Sequence, residues 1–386
     1  MNKMRLIHTG DWHLGRAFSD FPDAVAGELA DARRTVVGRV AAAARGHGAR
    51  HVLVAGDTFD RPDLPSRWLH AVLDAWRRAE DLTWHVISGN HDPLKERGVW
   101  DRVREIGLPA NVRFHGVAQP TEIEAGTWLL PAPLSGASAD GDPTAWMEQA
   151  ATPEGSFRIG LAHGAARAFS GEHPKVLIAA DRAKRAGLNY LALGDWHGAL
   201  KLDAKTWYAG TPECDNFRTE TSGQVLAVTI EGPGVDTAQV TEIPTAQHRW
   251  LTATVAEGLT NDIDALAGRL DGLDSGADRA IVRIVSSGAT TPEQVADVEA
   301  RLEQLAARVR HLDHRTRHRQ IVVPAGAIED LGDPSLIAIA RTLQDDAASG
   351  TVAASDDALA LLMQYAADTT VTPADRESDA KRGAAA

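Results

Sequence analysis

The sequence of 386 residues contains one cysteine, Cys214, and therefore cannot form an intramolecular disulfide bond. Sparse cysteine is typical of proteins in a reducing compartment, and we expect a cytoplasmic location. Residues 1–5 lead directly into a strand-like run and lack the apolar core of a signal peptide. No apolar run approaches the roughly 20 residues that a membrane-spanning helix needs, so we expect no association with a membrane.

An excess of basic charge is also absent, because 53 acidic residues outnumber 40 lysines and arginines and give a formal net charge of −13. This balance argues against a generally basic nucleic-acid coat. It leaves open a local basic groove, or a site where metal ions offset carboxylates. The length allows one large domain and a smaller one.

Strand and helix patterns alternate at the start of the chain. Apolar runs at 5–9, 51–55 and 84–87 predict strands, and helical spacing predicts helices over 23–45 and 66–79. This βαβ order predicts an α/β fold with a largely parallel sheet, in which ligands gather beyond the carboxyl ends of the strands. Shorter runs after residue 112 predict further strands, of which those at 207–209, 225–230 and 238–240 look mostly antiparallel, and we expect a second sheet packed on the first.

The pattern changes near residue 248. Residues 251–309 read strand, helix, strand, helix, which predicts a small α+β cap. Two amphipathic stretches, 334–343 and 356–367, predict helices, and the polar, alanine-rich tail predicts disorder. We therefore divide the chain into a main domain (1–247), a capping domain (248–330), a helical partner-binding segment (331–370) and a tail (371–386).

Polar clusters follow five of the predicted strands. The longest is Ser88-Gly89-Asn90-His91-Asp92, which follows the apolar run at 84–87. Each polar residue taken alone is better explained as structural, but eight in phase at strand ends are difficult to explain in that way. These eight residues are Asp11, His13, Asp57, Asn90, His91, His163, Asp195 and His197.

The donor types in these clusters are carboxylates, imidazoles and one amide oxygen, without a thiolate. Such donors suit Mn²⁺, which we favour, with Fe²⁺, Zn²⁺ and Mg²⁺ as alternatives. The set exceeds the needs of one ion and favours two ions, about 3.5–4 Å apart, that share a carboxylate. A pair of this kind can activate water near neutral pH and hold a phosphate oxygen, which points to phosphoester hydrolysis.

The clusters resemble the ordered motifs of the calcineurin-like metallophosphoesterases, and their order, spacing and following cap resemble the SbcD-type DNA repair nucleases. The motifs are Gly10-Asp11-Trp12-His13, Gly56-Asp57, Gly89-Asn90-His91-Asp92, His163 and Gly194-Asp195-Trp196-His197. The resemblance covers about residues 5–200. It implies a two-sheet α/β sandwich flanked by helices, with a small α+β cap. It also implies a DNA exo- or endonuclease that acts in DNA repair.

The resemblance assigns a role to each residue of the motifs. Asp11, His13 and His197 would hold one ion, and Asn90, His163 and Asp195 would hold the other, with Asp57 bridging the two. His91 would stabilise the transition state and protonate the leaving oxygen, and Asp92 would orient His91. The implied reaction is in-line attack of a metal-activated hydroxide on a phosphodiester.

This chain departs from the family at two positions. Relatives usually have Gly-His-x-His where Asp195 stands here, and the extra carboxylate could change the metal preference or weaken activity. Some relatives carry a catalytic histidine three residues after the bridging aspartate, where this chain has Asp60, so His91 is left as the candidate acid. We consider Asp60, Trp12 and Trp196 as candidates for the wall of the substrate site.

The resemblance also implies partners, namely DNA, an SMC-like ATPase of the SbcC type and a second copy of the chain. Two basic groups could contact DNA phosphate, and a solvated face explains them equally well. They are Arg33, Arg34, Arg39 and Arg45, and the run 315–319. Two apolar stripes could dock on the ATPase, and packing on the cap explains them equally well. They are Leu336, Ile339 and Leu343, and Leu359, Leu362 and Met363.

Two other functions stay open at this point. One is a calcineurin-like phosphatase or phosphodiesterase for a small substrate, for which a cap and late helices would be superfluous. The other is a DNA-end scaffold whose activity Asp195 has weakened, although Asp57 and His91 are both present.

Overall fold

The computed structural model describes residues 3–136, 141–166, 176–219, 221–232, 238–256, 260–273, 276–324, 326–350, 352 and 355–370. The chain divides into two compact units, residues 1–249 and 250–386. The division at 247/248 and the labels given to the cap and the partner-binding segment stay predictions. The disorder predicted after residue 370 lies outside the described residues.

The first unit holds two sheets and several helices. In chain order its elements are β1 (Met4–Thr9), α1 (Asp23–Arg34), α2 (Val36–His47), β2 (His51–Val54), α3 (Ser66–Arg77), β3 (Thr83–Val86), α4 (Val99–Ile106), β4 (Val112–Phe114), β5 (Thr121–Glu124), β6 (Thr127–Ala132), β7 (Phe157–His163), α5 (Arg182–Arg185), β8 (Tyr190–Gly194), β9 (Leu200–Lys201), β10 (Thr206–Tyr208), β11 (Gln224–Ile230) and β12 (Gln239–Pro244).

The first sheet has the order β12-β11-β1-β2-β3-β4, and the second has the order β5-β6-β7-β8-β10-β9. The sandwich of two sheets flanked by helices that the sequence predicted is therefore confirmed. The inner strands of the second sheet, from β6 to β10, run parallel. Of the strands predicted as mostly antiparallel, β11 pairs antiparallel with both β1 and β12, and β10 pairs parallel with β8 and antiparallel with β9. One detail of the prediction was wrong, because β11 and β12 complete the first sheet and not the second. A strand buried on both faces, as β11 is, carries no signal of the sheet to which it belongs.

Strands β1, β2 and β11 of the first sheet each contribute to two cores. In β2, Val52 and Val54 pack under α2 and α3, while Leu53 faces the second sheet. The two faces follow from the alternation of side chains along a strand. A polar contact also joins the sheets, because His8 donates from Nε2 to the Leu193 carbonyl oxygen (3.1 Å) and accepts at Nδ1 from the Tyr190 hydroxyl (2.9 Å).

The single helix predicted over 23–45 is two helices that meet at Thr35. The Thr35 hydroxyl donates back to the carbonyl oxygens of Asp31 and Ala32. Such bonds compete with the helical ladder and favour a break. Arg33, two residues before the break, is buried in the interior of the unit.

The described residues of the second unit form a three-stranded sheet of order β13-β14-β15 and four α-helices. Its elements are β13 (Arg249–Ala256), α6 (Asn261–Asp271), β14 (Ala280–Thr290), α7 (Pro292–Ala306), β15 (His311–Ile321), α8 (Pro334–Ser349) and α9 (Ser355–Thr370). The basic run at 315–319 lies in β15, where Arg315 pairs with Asp313 and Arg319 with Asp357. Among the described residues, no helix combines the length and apolarity that crossing a bilayer requires.

Candidate metal centre

The floor of the candidate site is built where β1 and β2 end side by side. The backbone N–H of Asp11 donates to the Gly56 carbonyl oxygen (3.2 Å), and that of His13 to the Asp57 carbonyl oxygen (2.9 Å). Asp11, His13 and Asp57 all have positive φ, between 43° and 52°. Backbone of this kind is strained for residues other than glycine and persists where the surrounding structure imposes it, often at functional sites.

Glycine allows the third loop to reach this floor. A Cβ atom at Gly89 would lie 2.1 Å from Asp57 Oδ1. The bare backbone lets the loop approach the same carboxylate, and the backbone N–H of His91, two residues later, donates to Asp57 Oδ1 (2.8 Å). This hydrogen bond joins the motif that follows β3 to the motif that follows β2.

One potential ligand group consists of Asp11, His13 and His197, whose donor atoms all lie within 4.8 Å of one another. The Nε2 atoms of the two histidines face each other at 3.2 Å. Asp11 and His13 are buried, while His197 is partly exposed. Three such donors around one point fit a divalent cation of intermediate hardness.

A second group consists of Asp11, Asp57 and His163. His163 donates from Nδ1 to the Ala55 carbonyl oxygen (2.8 Å), so its Nε2 is left for a ligand. That Nε2 lies 2.6 Å from Asn90 Oδ1, 3.5 Å from Asp57 Oδ2 and 3.7 Å from Asp195 Oδ1. Asp57 Oδ2 is also 3.7 Å from His13 Nε2, so this carboxylate lies between the two groups.

His91 stands at the exposed rim of the site. Its ring is perpendicular to that of His13, with centroids 4.6 Å apart. Its Nδ1 donates to the backbone carbonyl oxygen of Asp60 (2.8 Å), so its Nε2 is the remaining polar atom of the ring. His91, His13 and Asp60 also form a group of potential ligands.

The structure places Asp92 away from the His91 imidazole. The Asp92 carboxylate is buried and accepts from the backbone N–H groups of Gly89 (2.6 Å) and Phe59 (3.2 Å). The orienting contact to His91 Nδ1 comes from Asp60, as described above. We therefore correct the role suggested for Asp92, which positions the loop backbone because its short side chain turns back under the loop.

Charges in the site perturb one another strongly. Burial lowers the pKa of His163, but Asp57, Asp11 and Asp195 together outweigh it and raise the pKa to about 9. Burial raises the pKa of Asp11 to about 7, against the opposing effect of His163 and His197. Burial also lowers the pKa of His13 to about 4, so this imidazole is neutral at pH 7. Divalent cations stabilise clustered carboxylates that lie beside neutral imidazole nitrogen atoms. These residues therefore fit the two ions that the motifs imply.

The two tryptophans of the motifs differ. Trp12 is buried, donates from its indole N–H to the Thr9 hydroxyl and packs against Trp76 and Trp84. The prediction of Trp12 as a wall of the substrate site was therefore wrong, because its side chain points to the helix-covered core. Trp196 is partly buried against the cluster beneath the second sheet, and its role as a wall stays a prediction.

Sequence reasoning missed Asp215, which lies in a loop seven residues after the end of β10. Its carboxylate oxygens lie 3.1 and 3.0 Å from His197 Nδ1. The same carboxylate pairs with Arg33 and Arg16. A search limited to residues directly after strands could not find Asp215, and the acidic stretch at 213–215 was its only signal.

Four arginines of α1 and α2, which the sequence suggested as phosphate contacts, all have acidic partners. Arg33 pairs with Asp215, Arg34 with Asp31, Arg39 with Glu213, and Arg45 with Asp81. Arg33 is fully buried. The helical spacing could not reveal this, because the partners of Arg33 and Arg39 are Asp215 and Glu213, which lie far away in the sequence.

Comparison with known proteins agrees with this geometry. The chain is 28% identical over 221 residues to "Uncharacterized metallophosphoesterase YhaO" of Bacillus subtilis, a match that covers 53% of this chain and 51% of the relative. The chain thus spans about half the length of that relative.

A solved structure, glutamine-dependent NAD⁺ synthetase from Acinetobacter baumannii with ADP, aligns at 8% identity and a TM-score of 0.32, covering 89% of this chain and 71% of the other. A score this low supports no argument about the fold. The sequence profile described as calcineurin-like phosphoesterase matches residues 4–199, which is half of the chain and contains all the motif residues. The chain therefore belongs to the calcineurin-like phosphoesterase family.

Proposed function

We propose that the protein is a two-metal phosphodiesterase that cleaves DNA, as an exo- or endonuclease in DNA repair. The observation that carries the proposal is the form of the site. Asp11, His13, Asp57 and His163 form a buried floor, while Asn90, His91 and Asp195 stand at an exposed rim. A rim open to solvent can receive a phosphodiester that is part of a long chain.

The rim also supplies a group for the leaving oxygen. His91 Nδ1 is held by the Asp60 carbonyl oxygen, so the ring presents Nε2 outward. A protonated Nε2 can donate to a phosphoryl oxygen and pass a proton to the departing alkoxide. Positioning by a backbone carbonyl oxygen keeps this geometry independent of pH.

The ions, when bound, lower the pKa of coordinated water and neutralise charge on the phosphoryl group. Asp11, His13 and His197 would hold one ion, and Asn90, His163 and Asp195 the other. Distances from Asp57 Oδ2 of 3.5 Å to His163 Nε2 and 3.7 Å to His13 Nε2 support a bridging role for this carboxylate. The carboxylate of Asp195 in place of an imidazole makes the donor set harder, which supports Mn²⁺ over Zn²⁺.

Partners are part of the same proposal. Helices α8 and α9 expose Ile339, Leu361 and Tyr365, which are 50%, 52% and 65% accessible. An exposed apolar face of this kind suits docking on another protein. We assign it to an SMC-like ATPase of the SbcC type, and we keep a second copy of the chain as a further partner. Leu343, Leu359, Leu362 and Met363 pack within the unit and are not part of this face.

One observation favours an alternative, a phosphodiesterase for a small substrate. The acidic net charge and the pairing of Arg33, Arg34, Arg39 and Arg45 leave the first unit with less free basic surface than a DNA-binding enzyme usually has.

The test is Mn²⁺-dependent hydrolysis by the purified chain of linear single- and double-stranded DNA, compared with bis-p-nitrophenyl phosphate. We expect DNA cleavage that His91→Ala abolishes without loss of metal binding. His70→Ala, which changes an exposed histidine of α3, is the matched control and should cleave normally. Hydrolysis of the small ester with DNA intact, also in the presence of the ATPase, would refute the DNA proposal. DNA binding without cleavage would identify a scaffold.

A further inference from the structure

A buried carboxylate outside the motifs contacts one of the metal-site histidines. Asp215 has a fully buried side chain, and its two oxygens lie 3.1 and 3.0 Å from His197 Nδ1. The opposite ring nitrogen, Nε2, faces His13 Nε2 at 3.2 Å. Asp215 therefore acts on the side of His197 that is turned away from the ligand group.

The position of Asp215 is itself fixed by two arginines. Its Oδ2 lies 3.2 Å from Arg33 Nη2 and 3.3 Å from Arg16 Nη1. Arg33 also donates to the carbonyl oxygens of Trp12 and Glu213 (3.0 Å for Glu213). Because Trp12 lies between Asp11 and His13 in sequence, one buried network joins all three members of this ligand group.

We propose that Asp215 is the positioning residue that sets the affinity of the metal position formed by Asp11, His13 and His197. By accepting the Nδ1 hydrogen, the carboxylate fixes the tautomer in which Nε2 carries the lone pair. The same contact fixes the ring plane and makes Nε2 a stronger electron-pair donor to a metal ion. This inference rests on the metal centre of the proposed function, but not on DNA as the substrate.

The other histidines of the site are held differently. His163 donates to a backbone carbonyl oxygen, that of Ala55. His13 Nδ1 lies 3.4 Å from Asp60 Oδ1, and Asp60 is partly exposed. Only His197, among these three, is held by a buried carboxylate that has its own cationic partners. Loss of Asp215 should therefore weaken one metal position and spare the one around His163.

The experiment is a Mn²⁺ titration of the full chain, with free Mn²⁺ followed by electron paramagnetic resonance. We expect two ions on the native protein. In Asp215→Ala one of them should bind about 10- to 100-fold more weakly, and in Asp215→Asn, which keeps an acceptor oxygen, the loss should be smaller. The other ion should bind with native affinity in both variants.

Glu213→Gln is the matched control. Glu213 is a buried carboxylate of the same loop, but it pairs with Arg39 and accepts from the backbone N–H groups of Gln247 and His248. It should change metal affinity less than twofold. Native affinity for both ions in Asp215→Ala, or an equal loss in Glu213→Gln, would overturn the inference.

A second measurement covers the case in which the Asp215 variants do not fold. In the native chain loaded with Zn²⁺ and labelled with ¹⁵N-histidine, the His197 ring should carry its hydrogen on Nδ1. A hydrogen on Nε2 would overturn the inference. A native chain that binds no ion would overturn both this inference and the proposed function, whereas two bound ions without DNA cleavage would overturn the proposed function alone.

Discussion

Two groups of histidines in the described part of the first unit have different neighbours. Those of the candidate metal centre are His13 and His163, which are buried, and His197, which is partly exposed, and all three stand among carboxylates. The second group, which we term the histidine ladder, consists of His51, His85 and His115 on β2, β3 and directly after β4. Its rings are stacked, with centroids 5.2 and 5.3 Å apart.

The neighbours decide what burial does to each imidazole. Three carboxylates outweigh burial at His163 and raise its pKa to about 9. In the ladder, burial dominates and lowers the pKa of His115 to about 4 and that of His85 well below its ordinary value. Carboxylate neighbours thus favour positive charge at His163, whereas His85 and His115, which lack such neighbours among the described residues, stay neutral.

The hydrogen bonds of the ladder require neutral rings. Glu124 Oε2 lies 3.3 Å from His51 Nε2, which must donate to it. His51 Nδ1 then accepts from His85 Nε2 (3.0 Å), and His85 Nδ1 accepts from His115 Nε2 (3.1 Å). A proton added to His85 would place two donors against each other, so we interpret the ladder as structural.

The largest expected effect comes from removing a carboxylate from the metal site. Asp57→Ala should reduce Mn²⁺-dependent hydrolysis by at least about 10³-fold, because the residue between the two ligand groups is lost. Steady-state kinetics with bis-p-nitrophenyl phosphate measure this. The ladder variant His115→Gln serves as control and should hydrolyse the ester within about twofold of the native rate. Comparable losses in both variants would abolish the distinction between the two groups.

The second effect concerns how the histidine ladder changes the stability of the protein at low pH. The pKa of His115 is lowered from about 6.5 to about 4, so its contribution to stability is complete above pH 6.5 and is lost as the pH falls towards 4. His115→Gln keeps a donor for His85 but cannot titrate. The unfolding free energies of the native chain and of the variant, both metal-free, should fall between pH 7.5 and pH 4.5. The fall should be smaller in the variant by about 2–3 kcal/mol. Urea denaturation at both pH values measures the difference, and parallel losses would contradict the prediction.

A smaller effect tests the loop that carries the rim of the metal site. Asp92→Asn replaces one of two acceptors with a donor that faces backbone N–H groups, and should lower the unfolding free energy by about 1–3 kcal/mol. The pH profile of residual hydrolysis should keep its native shape, since Asp92 does not contact the His91 ring. A shifted profile with native stability would restore the orienting role that the sequence suggested.

The sequence predicted the parts of this comparison unequally. Strand periodicity and the polar residues after each strand led to the two-sheet fold and to the residues of the metal site, because the ends of parallel strands meet at one edge. The ladder was not predicted, since His51 and His85 lie within apolar runs, where a histidine gives no signal of its partners.

Contacts across long sequence distances were also beyond prediction. Asp215 reaches His197 from a loop, and the buried Arg33 reaches Asp215 across more than 180 residues of sequence. Trp12 was assigned to the site because of its motif, but it lies between two residues of positive φ and its side chain is buried in the helix-covered core. Local pattern specifies which residues gather at an edge, whereas side-chain direction depends on the completed fold.

The smallest expected effect is on stability, and it comes from a substitution at the end of the histidine ladder. Glu124 is the carboxylate at its exposed end, with 43% of the side chain accessible. Glu124→Gln keeps an oxygen that can accept from His51 Nε2, and exposed ion pairs contribute little, so at pH 7.5 the unfolding free energy should change by less than about 0.5 kcal/mol. Burial lowers the pKa of His51 and Glu124 opposes that effect, so the loss should grow as the pH falls below the ordinary histidine pKa of about 6.5. Denaturation at pH 7.5 and 5.5 measures both values. A loss above about 2 kcal/mol at pH 7.5 would mean that the ladder, like the metal site, depends on carboxylate charge, and its rings would then have to be charged.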